Sequence, residues 1–213
     1  AVWALAALGE KGWPDLQALI KDTDPEIRVA AYRALGQAGH PVLPQAAALA
    51  KDSSPMVRRE VALSMRDLPL NQAQAVLVEI AAGYDGKDRW YLEALGTGCE
   101  GKELEMYAAL LGHLGGPTLT WSKPFADIAW RLHPATAIPS LSDRAQSADL
   151  SAEQRKQAID SLAFIIHKSA ARAMEAAAGK GPEDLRDYAA YWLKHRANND
   201  WKDFGVKQSA ARI

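Results

Sequence analysis

The sequence predicts an all-α fold, an α-α superhelix of about six helical pairs that begins in a partial repeat. Three observations predict it. Residues 24–39, DPEIRVAAYRALGQAG, read as one amphipathic helix. A similar stretch, SSPMVRREVALSMRDLP at 53–69, follows at a period of 30 residues: Pro25 returns as Pro55, Ile27 as Val57 and Arg28 as Arg58. The chain is 48% apolar, and alanine and leucine dominate while β-branched residues are sparse, which disfavours strands. A period of helix, turn, helix, turn marks a solenoid, in which each pair buries its apolar faces chiefly against its neighbours.

Each element has its own local reason. Residues 1–12 read as the second helix of a repeat whose first helix is absent, with Trp3, Leu5, Ala6 and Leu8 as apolar positions. The chain thus opens inside a helix and is expected to be a piece of a longer protein. A helix at 14–21 precedes the one at 24–39. There Asp24 can cap, Pro25 suits the first turn, and Ile27, Ala31, Ala34, Leu35 and Ala38 form a stripe that Gly39 can end. The pair at 43–51 and 55–68 repeats the pattern, with Pro14 matched by Pro44, Leu19 by Leu49 and Lys21-Asp22 by Lys51-Asp52. Helices at 73–82 and 88–96 continue it more loosely; Leu35, Met65 and Leu95 fall at equal intervals. Further helices are expected at 102–114, 123–132, 137–145, 151–167, 169–178 and 183–196. The helix at 151–167 is expected to be the longest, with Ser151 and Gln154 spaced for a capping box. Residues 199–213 read as a tail that folds Trp201 and Phe204 over the last pair, since the end of an array exposes an apolar face. The linkers are short, so 1–213 reads as a single domain.

Charge and cysteine usage narrow the function. A net charge of −1 argues against a general polyanion binder. No apolar run reaches the roughly 20 residues that a membrane helix needs, so no membrane insertion is expected. The single cysteine, Cys99, excludes an internal disulfide and stands in a Gly-rich turn without a basic neighbour to mark a nucleophile. Glu103 and Glu105 point apart on a helix and make a poor acid–base pair. His133, His167 and His195 lie near the ends of successive second helices. Neighbouring helices stand about 8–10 Å apart, too far for shared zinc ligands, so these residues and the basic residues beside them read as cations at negative helix C-termini. No catalytic residue, metal site or cofactor is expected.

Two polar groupings remain. Arg28 and Arg58 hold equivalent repeat positions and are expected to form a ladder with Asp22 and Asp52. Asp88, Arg89, Trp90 and Tyr91 make the densest polar–aromatic cluster and are the candidate partner-binding residues, because tryptophan and arginine are favoured interface anchors. The same four can also supply a cap, a core contact and a contact to the neighbouring pair.

The helix-opening proline, the apolar residue two positions on, the arginine after it and the small–large packing face resemble HEAT repeats, most specifically over residues 13–69. That resemblance implies the fold and little about function, since HEAT arrays serve many roles. A second resemblance lies in residues 84–102, YDGKDRWYLEALGTGCEGK, with YWLKHRANNDWKDFGV at 191–206. Both are similar to the HEAT-like helical region of large exported proteins of planctomycetes, verrucomicrobia and Bacteroidetes. Those proteins look like membrane-bound sugar dehydrogenases and also carry a β-propeller and a c-type haem domain. Cys99 is followed by Glu100, Gly101 and Lys102, so no CxxCH haem motif occurs. The resemblance implies an exported or periplasmic, non-catalytic spacer whose partners are neighbouring domains of its parent chain. The competing reading is a HEAT-like DNA glycosylase, which would use a basic face, aromatic residues and a carboxylate; here the near-neutral charge offers little attraction for phosphates.

Overall fold

In the computed structural model, which describes residues 1–206, every regular element is helical. The helices are α1 (Val2–Ala7), α2 (Trp13–Leu19), α3 (Pro25–Gln37), α4 (Leu43–Leu49), α5 (Pro55–Ser64), α6 (Leu70–Ala82) and α7 (Arg89–Gly98) in a first compact unit, Ala1–Gly101. A second unit starts at Lys102 and holds α8 (Glu103–Leu110), α9 (Lys123–Leu132), α10 (Ile138–Gln146), α11 (Ala152–Phe164), α12 (Lys168–Lys180) and α13 (Glu183–Ala197). The six pairs are α2/α3, α4/α5, α6/α7, α8/α9, α10/α11 and α12/α13. In the first unit the second helices α1, α3, α5 and α7 stack in sequence, so α1 takes the place of a second helix. In the second unit α9, α11 and α13 do the same.

The repeat element folds for local reasons. The Asp24 carboxylate accepts the Glu26 N–H at 2.9 Å, and Pro25 occupies the first turn, where no intrahelical donor is needed. Val29, Ala31, Tyr32, Ala34 and Leu35 are buried, a wider face than the expected stripe because Tyr32 also turns inward. Gly39 stops the helix at φ +78°, a conformation that disfavours a side chain, while the His40 N–H reaches back to the Leu35 carbonyl at 3.0 Å.

Gly98 shows how closely the pairs approach. A Cβ there would stand 2.4 Å from the Ala62 carbonyl oxygen of α5, so only glycine lets α7 come this near.

Some boundaries differ from expectation. α6 begins at Leu70, with Pro69 as its cap residue, rather than at 73. α11 stops at Phe164, because Ile165 turns extended (φ −85°, ψ 115°) and buries its side chain. α13, with 15 residues, is therefore longer than α11, with 13. Beyond α13 the Trp201 indole is fully buried and donates to the Ile165 carbonyl at 3.1 Å, with a short 3-10 turn at Lys202–Phe204 beside it. The last part of the expected tail, 207–213, lies outside the described residues. No helix among the described residues is long and apolar enough to cross a membrane.

Candidate functional site

The second helices of the first unit are tied by arginines. Arg28, on α3, reaches Asp52 through two hydrogen bonds, Nε to Oδ2 at 2.8 Å and Nη2 to Oδ1 at 2.7 Å, a bidentate fork. Its Nη1 donates to the carbonyls of Asp22 (2.8 Å) and Thr23 (3.1 Å). Arg58 repeats the second part: its Nη1 donates to the carbonyls of Asp52 and Ser53. The first part changes. One period after Asp52 stands Ala82, so Arg58 Nε finds the Tyr91 hydroxyl instead, at 3.0 Å. Tyr91 OH in turn donates to the Ile80 carbonyl at 2.7 Å. Asp22 also departs from its expected role. It gives Arg28 its carbonyl, while its carboxylate accepts the Asp24 N–H at 2.9 Å.

Burial works against the charge of the Asp52 carboxylate. The Arg28 fork, the Ser54 N–H and the positive fields of Arg28 and Arg58 outweigh it and hold the group below the usual aspartate range. The hydrogen bond to Asp52 correspondingly raises the Arg28 guanidinium.

Asp88, Arg89, Trp90 and Tyr91 divide between structure and surface. Asp88 caps α7 by accepting the Tyr91 N–H at 3.1 Å and pairs with Arg59 of α5 at 3.4 Å. Tyr91 is buried, with its ring stacked on Tyr84 at 5.7 Å. Arg89 pairs along its own helix with Glu93 at 2.6 Å. Trp90 faces outward and is 74% exposed, against a buried position for most large apolar side chains of the unit.

Trp90 edges a groove of about 480 Å³ that crosses three successive second helices: Val29 and Arg33 of α3, Met56 and Leu63 of α5, Trp90 and Ala94 of α7. Leu63 is 42% exposed. The Arg33–Glu60 pair, at 2.5 Å, and Glu93 give the groove charged edges. The groove thus has an apolar floor between charged edges. Of the four candidate residues only Trp90 lines the groove; Met56 and Leu63, which line it too, lie on the helix face opposite the buried stripe and carry no separate signal in the sequence.

The second unit holds a different site. A pocket of about 600 Å³ is lined by Trp121, Asp127, Arg144, Gln157, Asp160 and Tyr188, among others. Asp127 accepts from Lys123 Nζ and Gln157 Nε2, each at 2.6 Å. Asp160 takes the Tyr188 hydroxyl proton bond and the Trp192 indole N–H, the latter at 2.8 Å. Arg144 is 2% exposed, and desolvation lowers the pKa of its guanidinium from the usual arginine value. Nothing in the sequence distinguishes it from an arginine that simply faces solvent at a helix C-terminus.

The histidines do not converge. His133 ends α9 in the left-handed conformation (φ 48°), and His195 lies in the last turn of α13. His167 is not at a helix C-terminus as expected. Because α11 ends early, it caps the N-terminus of α12, its Nδ1 accepting the Ser169 N–H at 3.1 Å. Among the described residues no group of three or more His, Cys, Asp or Glu is placed to hold a metal ion. The Cys99 side chain is buried.

The geometry defines a class: stacked helical hairpins whose second helices are cross-linked side by side. Residues 13–96, spanning α2 to most of α7, match the family of HEAT repeats. No curated protein and no solved structure matches the chain significantly.

Proposed function

We propose that this chain is a non-catalytic protein-interaction module that binds through the groove on the second helices α3, α5 and α7. HEAT repeats commonly serve such a role, and the observation that carries the reading here is Trp90. An indole left 74% exposed beside a groove of successive repeats is the kind of side chain that anchors interfaces. At the finer level, the chain is a spacer of a larger exported, dehydrogenase-like, haem-binding protein, and its partners are neighbouring domains of that parent. This rests on the resemblance of residues 84–102 and 191–206 and on the missing CxxCH. On this reading the chain itself uses no cofactor and works outside the cytoplasm.

The test starts with the reading frame on both sides of this sequence. A downstream CxxCH and an upstream β-rich region support the spacer reading, and a frame without them sinks it. The flanking domains are then titrated against the chain by calorimetry. Trp90→Ala is expected to weaken binding by roughly tenfold or more, as a truncated hot spot does, with the melting temperature nearly unchanged. Arg89→Ala is expected to act in the same direction. Equal affinity for wild type and both variants would remove the groove from the interface. Duplex DNA at low salt serves as the control, and a salt-sensitive shift with it would favour the glycosylase reading.

A further inference from the structure

Arg144 is a cation with too few acceptors. A guanidinium presents five N–H donors. Here one Nη1 donor meets the Thr118 carbonyl at 2.7 Å, and the other four have no acceptor among the described residues. No carboxylate pairs with it among them either. Burying a charge in this way is costly unless a counter-charge completes the site. The Trp121 ring covers the guanidinium, with Arg144 Cζ 5.1 Å from the ring centroid, which fixes the plane of the fork. The Trp121 indole N–H is itself buried with no hydrogen-bond partner among the described residues. The C-terminal dipole of α10 favours a cation at this place, yet no α10 carbonyl accepts from the side chain.

Two of the three carboxylates that line the same pocket are already engaged. Asp127 is held by Lys123 and Gln157, and Asp160 by Tyr188 and Trp192. The pocket therefore presents an unused planar fork at one wall of a space of about 600 Å³, within the range of small-ligand sites. Its lining carries three cations, Lys123, Arg144 and Lys156, and three carboxylates, Asp127, Glu153 and Asp160. Such a balance favours a single negative charge over a phosphate dianion.

We propose that this pocket binds a carboxylate, received by the free edge of the Arg144 guanidinium as a bidentate pair. The carboxylate belongs either to a small free acid or to the end of a polypeptide. The proposal stands apart from the groove of the first unit, and neither depends on the other.

The test is nuclear magnetic resonance of the arginine Nε–H groups in the 15N-labelled full chain. Sodium acetate, acetyl-trialanine free acid and acetyl-trialanine amide are titrated in turn, with sodium chloride at matched ionic strength as the reference. A saturable shift of the Arg144 signal with acetate and with the free acid, absent with the amide and with chloride, is the expected result. Tighter binding of the tripeptide acid than of acetate assigns the site to a polypeptide end, and the reverse to a small free acid. No saturable shift, or the same shift with chloride or the amide, overturns the proposal. Arg144→Lys keeps the charge and loses the fork, so it is expected to weaken acetate binding by about tenfold with an unchanged circular dichroism spectrum. Undiminished binding in that variant also overturns it. If the variant does not fold, the acid–amide comparison on the wild-type chain still decides.

Discussion

The first unit is tied across its second helices chiefly by charge, whereas the second adds interlocked aromatic rings to an ion pair between Arg155 of α11 and Asp184 of α13 at 2.7 Å. In the first, Arg28 forks onto Asp52 and Arg33 onto Glu60, and Arg66 Nε meets Glu100 at 2.6 Å, each contact linking one pair to the next. In the second, Phe164 of α11 lies between Trp130 of α9 and Trp192 of α13, with ring centroids 6.0 and 5.5 Å away. His133 stacks on the same phenyl ring at 5.5 Å, and Arg196 lies over it at 5.5 Å. The lesson is that one architecture accepts two kinds of cement. Stacking needs each pair to recognise its neighbour, and either directional ion pairs or interlocked rings can provide that.

The largest expected effect tests the charged cement. Asp52→Ala removes the fork and leaves Arg28, whose side chain is only 12% exposed, without its counter-charge. A loss of about 3 kcal/mol in urea unfolding is expected, near the lower end for breaking a buried pair. The same residue gives a pH signature. Its folded pKa is lowered, so its contribution is complete above the unfolded value, about 3.9, and fades as pH falls through the folded one. Asp52→Asn is expected to flatten the acid limb of the stability curve below about pH 4. An unchanged acid limb would mean that Asp52 is not what holds α3 to the next pair.

Phe164→Ala tests the aromatic cement. The ring is 36% exposed, so its loss is expected to cost about 2 kcal/mol, less than a fully buried phenylalanine. The contrast lies in salt. The cost of Asp52→Ala is expected to shrink between 0.05 and 1 M sodium chloride, roughly the range over which the Debye length falls below a salt-bridge distance, while that of Phe164→Ala stays constant. Equal salt dependence would erase the distinction between the units.

The two cements also explain what the sequence could and could not disclose. A charged rung recurs at a fixed register, so Pro25/Pro55 and Arg28/Arg58 announced a period, and the helices of the first unit were readable from it. The rung at Tyr91 was not, because Ala82 stands where the period would put a carboxylate and a phenol from α7 takes its place. Trp130, Phe164 and Trp192 recur too, but rings in helices read equally as ordinary core. The early end of α11 escaped because Ile165 and Ile166 are compatible with a helix, and only tertiary burial of Ile165 draws the chain out of it. The Trp90 cluster was visible by its composition. Arg144 was not, since its meaning lies in the acceptors it lacks, and a sequence records residues without recording their partners.

The smallest expected effects come from two tyrosines, one in each unit, that share the same burial. Both Tyr91 and Tyr107 are 2% exposed. Tyr91 OH sits in the ladder, accepting from Arg58 and donating to Ile80, whereas Tyr107 OH has no hydrogen-bond partner among the described residues. Tyr91→Phe strands a guanidinium donor and a carbonyl and is expected to cost about 1–2 kcal/mol. Tyr107→Phe removes a buried hydroxyl that gains nothing, and is expected to leave stability unchanged or raise it by up to about 1 kcal/mol. Alkaline pH gives a second measure of Tyr107. Burial pushes the Tyr107 phenol up to about 12, so the unfolded chain ionises first, near 10, and stability falls as pH rises between those values. Tyr107→Phe is expected to remove that share of the alkaline loss. If Tyr107→Phe proves as costly as Tyr91→Phe at neutral pH, the hydroxyl has an undetected partner and the second unit is more polar in its bonding than its rings suggest.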